Sequence, residues 1–183
     1  MTDYTQSTFT INPPIAGAVG DIEDFHTAMY GADDSKTTAG TIPFGRAVTS
    51  AAATPNVCAL PTSEAEANRI CGIAIADHSK VSGAGYVANE QVRILKNGRI
   101  RVYFETAMAD QAIPFVRITE STSGAADQGQ FRNDADGGKA VACPCARVVS
   151  RNGVISAAGV GCLEVSFGVV GAVGATGPAG PSA

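Results

Sequence analysis

A chain of 183 residues, 45% of them hydrophobic, is long enough to bury one sizeable core and reads as one main unit with appendages. Only 16% of residues are charged, the net charge is −4 and the pI about 5.1, so no global positive field exists to hold nucleic acid, and no nucleic-acid partner is expected. Twenty-one glycines, no tryptophan and abundant Ala, Thr and Val imply many turns joining short strands, a mostly β fold.

Residues 1–40 are polar and rich in turn signals, with "NPP", "GADD" and "TTAG" flanking one short candidate helix. In "GDIEDFHTAMYG", Ile22, Phe25, His26 and Met29 share a helical face, Asp21 and Asp24 stand at its start, and Gly31 lies beyond its end. This reads as an extended N-terminal arm carrying one short helix, packed on its own domain or docked on a neighbour. The opening "MTDYTQSTFT" has neither the basic nor the apolar region of a signal peptide, so synthesis and assembly in a cytoplasm are expected.

From Thr41 the pattern changes to short apolar runs separated by Gly, Pro, Asn and Ser: "IPFGRAVTS", "RICGIAIADHS", "EQVRILK", "RIRVYFETA", "IPFVRIT", "ACPCARVVS" and "GCLEVSFGVV". Their length and β-branched content fit the strands of a small antiparallel β-barrel or sandwich spanning 41–168. "PTSEAEAN" alone interrupts them as helix, with Pro61 ahead, Ser63 at the N-cap and Glu66 three residues later.

Within "VRILKNGRIRVYF", Asn97 and Gly98 suit the central positions of a type I′ turn. A hairpin is therefore expected, with Lys96 facing Arg99, Leu95 facing Ile100, Ile94 facing Arg101 and Arg93 facing Val102. Four of the thirteen basic residues crowd it, Arg93, Lys96, Arg99 and Arg101. They read either as a solvated guard against edge pairing or as a contact for an acidic protein surface.

The loop region that follows, in which Asp127, Asp134 and Asp136 stand among glycines and polar residues, includes "NDADGG". It has a flavour of calcium-loop chemistry but lacks the downstream acidic ligand, so a surface turn is the simpler reading. The five cysteines, Cys58, Cys71, Cys143, Cys145 and Cys162, are odd in number and sit among apolar residues, which suggests buried thiols. "CPC" at 143–145 lacks enough companions for a metal, since the only histidines are His26 and His78, and no metal or cofactor is expected.

No catalytic signature is present. "DHS" at 77–79 places its residues on alternating sides of a strand, and neither a phosphate loop nor a dinucleotide fingerprint nor a nucleophile elbow occurs. No enzymatic activity is expected. A hydrolase using Cys162 as nucleophile is the weakest alternative.

The apolar stretch 154–175 matches a bilayer in length, yet Glu164 near its centre would cost roughly 2.5–3.5 kcal/mol in lipid, so a strand followed by a tail is expected rather than a membrane span. The chain ends "GVVGAVGATGPAGPSA", with glycine at Gly168, Gly171, Gly174, Gly177 and Gly180. Glycine at every third residue is the requirement where three extended chains crowd one axis. Pro178 and Pro181 preset the extended geometry, but no proline fills the third position of a triplet. A short collagen-like tail over 169–183, held by a trimeric base, is one reading, and a flexible Gly/Ala extension is the other.

The segments "IPFGRAV", "CGIAIAD", "YVANEQVRILKNGRIRV", "GQFRNDADGG" and "AAGVGCLEVSF", in that order, resemble the capsid cement, or head decoration, proteins of tailed bacteriophages over about residues 41–168. The resemblance implies a small β-rich domain that associates as a homotrimer, binds the major capsid protein on the outside of an expanded shell and strengthens it, with the N-terminal arm crossing an adjacent subunit. Localisation on the virion exterior follows. A receptor- or glycan-binding virion appendage, with the C-terminal end as stalk, is the alternative.

Overall fold

The computed structural model describes residues 30–50, 54, 56–77, 85–119, 128–150 and 154–167. Residues 21–29 of the candidate helix, the Gly-X-Y run from Gly168, His26, His78 and Asp127 lie outside them.

The strands run in the order β1 (Tyr30–Thr38), β2 (Ile42–Pro43), β3 (Ala47–Ser50), β4 (Val57–Ala59), β5 (Ile70–Ala74), β6 (Gly85–Tyr86) and β7 (Gln91–Phe104). They continue as β8 (Met108–Ala109), β9 (Phe115–Arg117), β10 (Phe131–Arg132), β11 (Ala140–Ala142), β12 (Ala146–Val149), β13 (Val154–Ile155) and β14 (Gly159–Ser166). A single turn of α-helix, α1 (Glu64–Ala67), follows β4. Its N-cap forms as the sequence implies: the Glu66 amide donates to Ser63 Oγ at 3.3 Å, and the Glu66 carboxylate reaches back to accept from the Thr62 amide at 2.8 Å.

Strands β1, β4, β3, β5 and β7 pair in sequence, and β7 pairs back to β1, closing a small barrel. All its pairings are antiparallel except β1 with β4, where Thr37 matches Val57 and Thr38 matches Cys58. Adjacent residues point to opposite faces of a strand, and here they divide two cores. Val48, Ala74 and Ile94 face the barrel interior with Ile42, Phe44, Cys58, Tyr86 and Val92. Their chain neighbours Ala47, Ile73 and Leu95 face outward into a second, larger core with Ile100, Val102, Phe104, Val116, Phe131, Val148 and Leu163. Tyr86 lies inside the barrel cluster with its ring edge against Phe44, centroids 5.3 Å apart, and its hydroxyl donates to Ile75 O at 2.9 Å.

The expected hairpin at Asn97-Gly98 does not form. Strand β7 runs unbroken through both residues, and its second half pairs with β14 over eight positions, from Gly159 with Phe104 to Ser166 with Asn97. Its first half pairs with β1 and β5, so each half finds more ladder partners elsewhere than the two could offer each other. Long-range pairing overrides the local turn preference. Gly98 nevertheless has a conformational task. Leu95 and Ile100 enter the same core although an odd number of steps separates them, so the alternation must slip once between them, and Gly98 at φ 127° is where it can.

A second correction concerns the start of the sheet. Tyr30–Thr38, with its "GADD", reads as turn-rich arm, yet it forms β1 and closes the barrel. Nothing in its composition announces this, because the closure is a backbone ladder to β7 with a register shift between Asp33 and Lys36.

Gly72 marks the closest backbone approach, at the register shift between β3 and β5. A Cβ there would meet the Leu95 carbonyl at 2.4 Å as well as the Ile94 side chain, and neither the backbone nor a packed core residue can withdraw. Gly72→Ala is expected to lower unfolding free energy by about 2–4 kcal/mol. Gly159→Ala, with open space at its Cβ, is expected to change it by less than about 0.5 kcal/mol. Denaturant titration of both variants checks this, and equal stability of the two would contradict the packing described.

Candidate functional site

The three-stranded layer β12–β14–β7 has one face in the larger core and one face outward. The outward face is ordered by register into rows: Asn97 beside Ser166; Arg99 beside Glu164 beside Arg147; Arg101 beside Cys162 beside Val149; Tyr103 beside Val160. Glu164 therefore lies between two arginines. Its carboxylate is 3.3 Å from Arg99 Nε, with the side chains 56% and 26% exposed, so this pair contributes little energy and mainly neutralises the face. Tyr103, 40% exposed, supplies the large apolar surface at the far end.

The four basic residues that the sequence groups are thereby divided. Arg99 and Arg101 share the outward face of β7, whereas Arg93 and Lys96 belong to its barrel half, all four half-buried. Lys96 does not face Arg99, since the hairpin that would have brought them together is absent. Cys162 has a cation and a valine as its cross-strand neighbours rather than a base.

A denser group of charges lies at the other side of β7, where sequence reasoning placed only a surface turn. Arg117 and Arg132 are buried, 3% and 8% exposed. Glu105 follows Phe104 at the end of β7 and its amide donates to Phe131 O at 2.8 Å, which sets its carboxylate between the two guanidinium groups. Arg117 grips it in bidentate fashion, Nε at 2.6 Å from one oxygen and Nη2 at 2.5 Å from the other, while Arg132 Nη1 approaches at 3.3 Å. Asp136 bridges the same pair, at 3.0 Å from Arg117 Nη2 and 2.7 Å from Arg132 Nη1, and Asp134 accepts from Arg132 Nε at 2.7 Å. Asp136, Gly137 and Gly138 all take positive φ, which curls "DADGG" so that its carboxylates turn back onto the sheet. These carboxylates are thus ligands of guanidinium rather than of a cation such as calcium. Among the described residues, the buried nitrogen Arg117 Nη1 has no hydrogen-bond partner.

The hydrogen bond and charge of Glu105 hold the Arg117 guanidinium further above its already high range, and Arg117 and Arg132 hold the Asp136 carboxyl below its usual 3.8. A sequence signal existed: Arg117 in "FVRI" and Arg132 in "QFRND" each interrupt an apolar strand, and a central strand tolerates such a residue only when it is paired.

The "CPC" turn connects β11 to β12. Burial pushes the Cys143 thiol up to about 12, which disfavours the thiolate a metal would need, and among the described residues no group of three or more His, Cys, Asp or Glu is arranged to hold a metal ion. None of the five cysteines forms a disulfide. Two clefts flank this turn: one of about 390 Å³ touches Arg147, Glu164 and Ser166, and one of about 250 Å³ touches Ile70, Cys143 and Phe167. Pro144 and Cys145 border both. No helix among the described residues is long and apolar enough to cross a membrane, and residues 159–166 of the apolar C-terminal stretch are strand β14.

The fold is thus a β-barrel joined to a sandwich-like layer, with charged and aromatic rows on its outward face. The family model for the structural cement protein (E217 gp24/Pam3 gp6) matches residues 5–170, and the chain belongs to this family of phage capsid proteins. Among solved structures, a chain from the capsid of Myoviridae phage XM1 shares the fold, with a TM-score of 0.63 and 17% identity, covering 91% of this chain and 98% of that one. No curated protein matches the sequence.

The buried ion cluster gives a defined acid response. Because the folded pKa of Asp136 is depressed, its contribution is fully present above the usual carboxylate value of 3.8 and is lost as pH falls through the lower folded value. Stability is expected to fall steeply below about pH 4, and Asp136→Asn is expected to shallow that fall. Glu105→Gln, which leaves Arg117 and Arg132 underpaired, is expected to cost about 3–5 kcal/mol at neutral pH. Unfolding followed against pH measures both effects; an unchanged acid limb in Asp136→Asn would remove the cluster from the account.

Proposed function

We propose that this cement protein binds the outer surface of a phage capsid as a homotrimer, with the major capsid protein as its partner, and stabilises the shell without catalysing a reaction. The observation that carries the reading is the family match over residues 5–170, nearly the whole chain. Structure and chemistry support it. Among the described residues, Arg99 pairs with Glu164, and Arg117 and Arg132 form a buried cluster with carboxylates, while the outward rows mix Arg, Tyr and apolar side chains, the residue types that anchor protein interfaces.

Cementing needs no strong single contact. An interface of roughly 1,600 Å² per junction, repeated over a shell, adds to the cost of separating every pair of capsid subunits it spans. Residues 1–29, ahead of β1, are the segment that would cross to an adjacent subunit. On this reading Arg99, Arg101 and Tyr103 meet the capsid or a neighbouring copy, and the triplets from Gly168 to Gly180 join three chains. The protein is then assembled onto the shell in the host cytoplasm and remains on the virion exterior.

Particles lacking the protein are expected to rupture at lower temperature than complete particles, and adding back the purified chain is expected to restore the difference. Calorimetry or dye release from packaged genomes reads the rupture point. Equal rupture temperatures with and without the protein would overturn the stabilising role.

A further inference from the structure

Both ends of the described chain leave the molecule at one place. Asn97 in β7 is matched on one edge by Tyr30, the first residue of β1, and on the other by Ser166, the last residue of β14. The C-terminal exit is pinned by two backbone bonds, Ser166 N to Cys145 O and Phe167 N to Lys96 O, both 2.8 Å. Gly168, the first glycine of the triplet run, follows Phe167 directly.

That adjacency restricts where a threefold axis can pass. Three chains wound with glycine at the centre touch one another, so the residue preceding the first triplet lies one Cα step, about 3.8 Å, from the bundle. Even with the first two triplets splayed apart, six residues reach at most about 20 Å. On the trimer reading, the axis then passes within that reach of the end of β14.

The surface there is shaped for unlike parts to meet. The exposed tip Pro144 stands between the two clefts, with the Arg147 and Glu164 rims on one side and Ile70 and Phe167 on the other. A threefold ring uses a heterologous contact, in which a projection of one copy enters a recess of the next, and a tip beside a recess meets that need. Resting on the trimer reading above, we infer that the surface formed by Pro144, Cys145, Glu164, Ser166 and Phe167 is the contact between copies of this chain, around an axis that passes beside Phe167. The rest of the outward face, toward Tyr103, is then left for the capsid.

Full-length Ser166→Cys and Pro144→Cys variants, treated with a short bismaleimide at concentrations where light scattering gives the mass, test this contact. Thr119→Cys is the control, since Thr119 is exposed and lies beyond Arg117, at the end of β9 away from the Pro114–Cys143 bond. With Cys145→Ser in variants and controls alike, so that the native thiol of the contact is absent, covalent dimer is expected at about tenfold or more above the unsubstituted and Thr119→Cys background, because thiols held inside one assembly face each other at millimolar effective concentration. A threefold mass with no excess cross-linking at 166 or 144 would overturn the placement and leave the trimer standing. A monomer mass would overturn both. Should Ser166→Cys fail to fold, Pro144→Cys at the exposed turn decides the question alone.

Discussion

The structure depends on one strand serving two sheets. In β7, residues 91–97 close the barrel against β1 and β5, and residues 97–104 form the ladder with β14 on which the outer layer is built. A single strand can do this only if its apolar side changes hands midway, since Val92 and Ile94 must fill the barrel while Ile100, Val102 and Phe104 must fill the second core. The slip at Gly98 makes that exchange possible within an unbroken backbone. Two hydrophobic cores are consequently welded through one covalent strand, and neither half can shift in register without exposing the other's side chains.

The charged cluster secures the same joint from the side. Phe131 of β10 pairs with Phe104 at the end of β7, a single matched position, so the strand pairing alone holds β9, β10 and β11 weakly to the rest. Glu105, the next residue, supplies what the ladder lacks by engaging Arg117 of β9 and Arg132 of β10 together. Burying charge is costly, and well-packed apolar side chains often do as well in free energy. Directionality is what the ions add: a bidentate arginine accepts its carboxylate in one geometry, whereas Phe, Val and Ile tolerate sliding. The fold uses ions where register is least determined by hydrogen bonds.

How much of this was legible in the sequence follows the range of the forces involved. The cap of α1 was readable because Ser63, Thr62 and Glu66 act within one turn. The β class, with barrel and sandwich both open, followed from short β-branched runs and glycine-rich gaps, and the family resemblance followed from their order. The Asn97-Gly98 hairpin failed because a two-residue preference competed with an eight-pair ladder to a strand some sixty positions away, which no local pattern encodes. For the same reason β1 was hidden in the arm, and the basic residues that looked like one patch were distributed over two structural halves. Arg117 and Arg132 were visible as charges in apolar strands, but their shared partner Glu105 becomes evident only when β7, β9 and β10 are brought together.

These features bear on what a cement protein must withstand. On the proposed reading, a load carried between neighbouring subunits reaches the body through Tyr30 and Ser166, both matched to Asn97 on the one strand that runs through both cores. On the proposed reading, the termini reach toward neighbours while the welded body resists, so the strand that confounded the local reading of the sequence is also the element best placed to transmit force across the molecule.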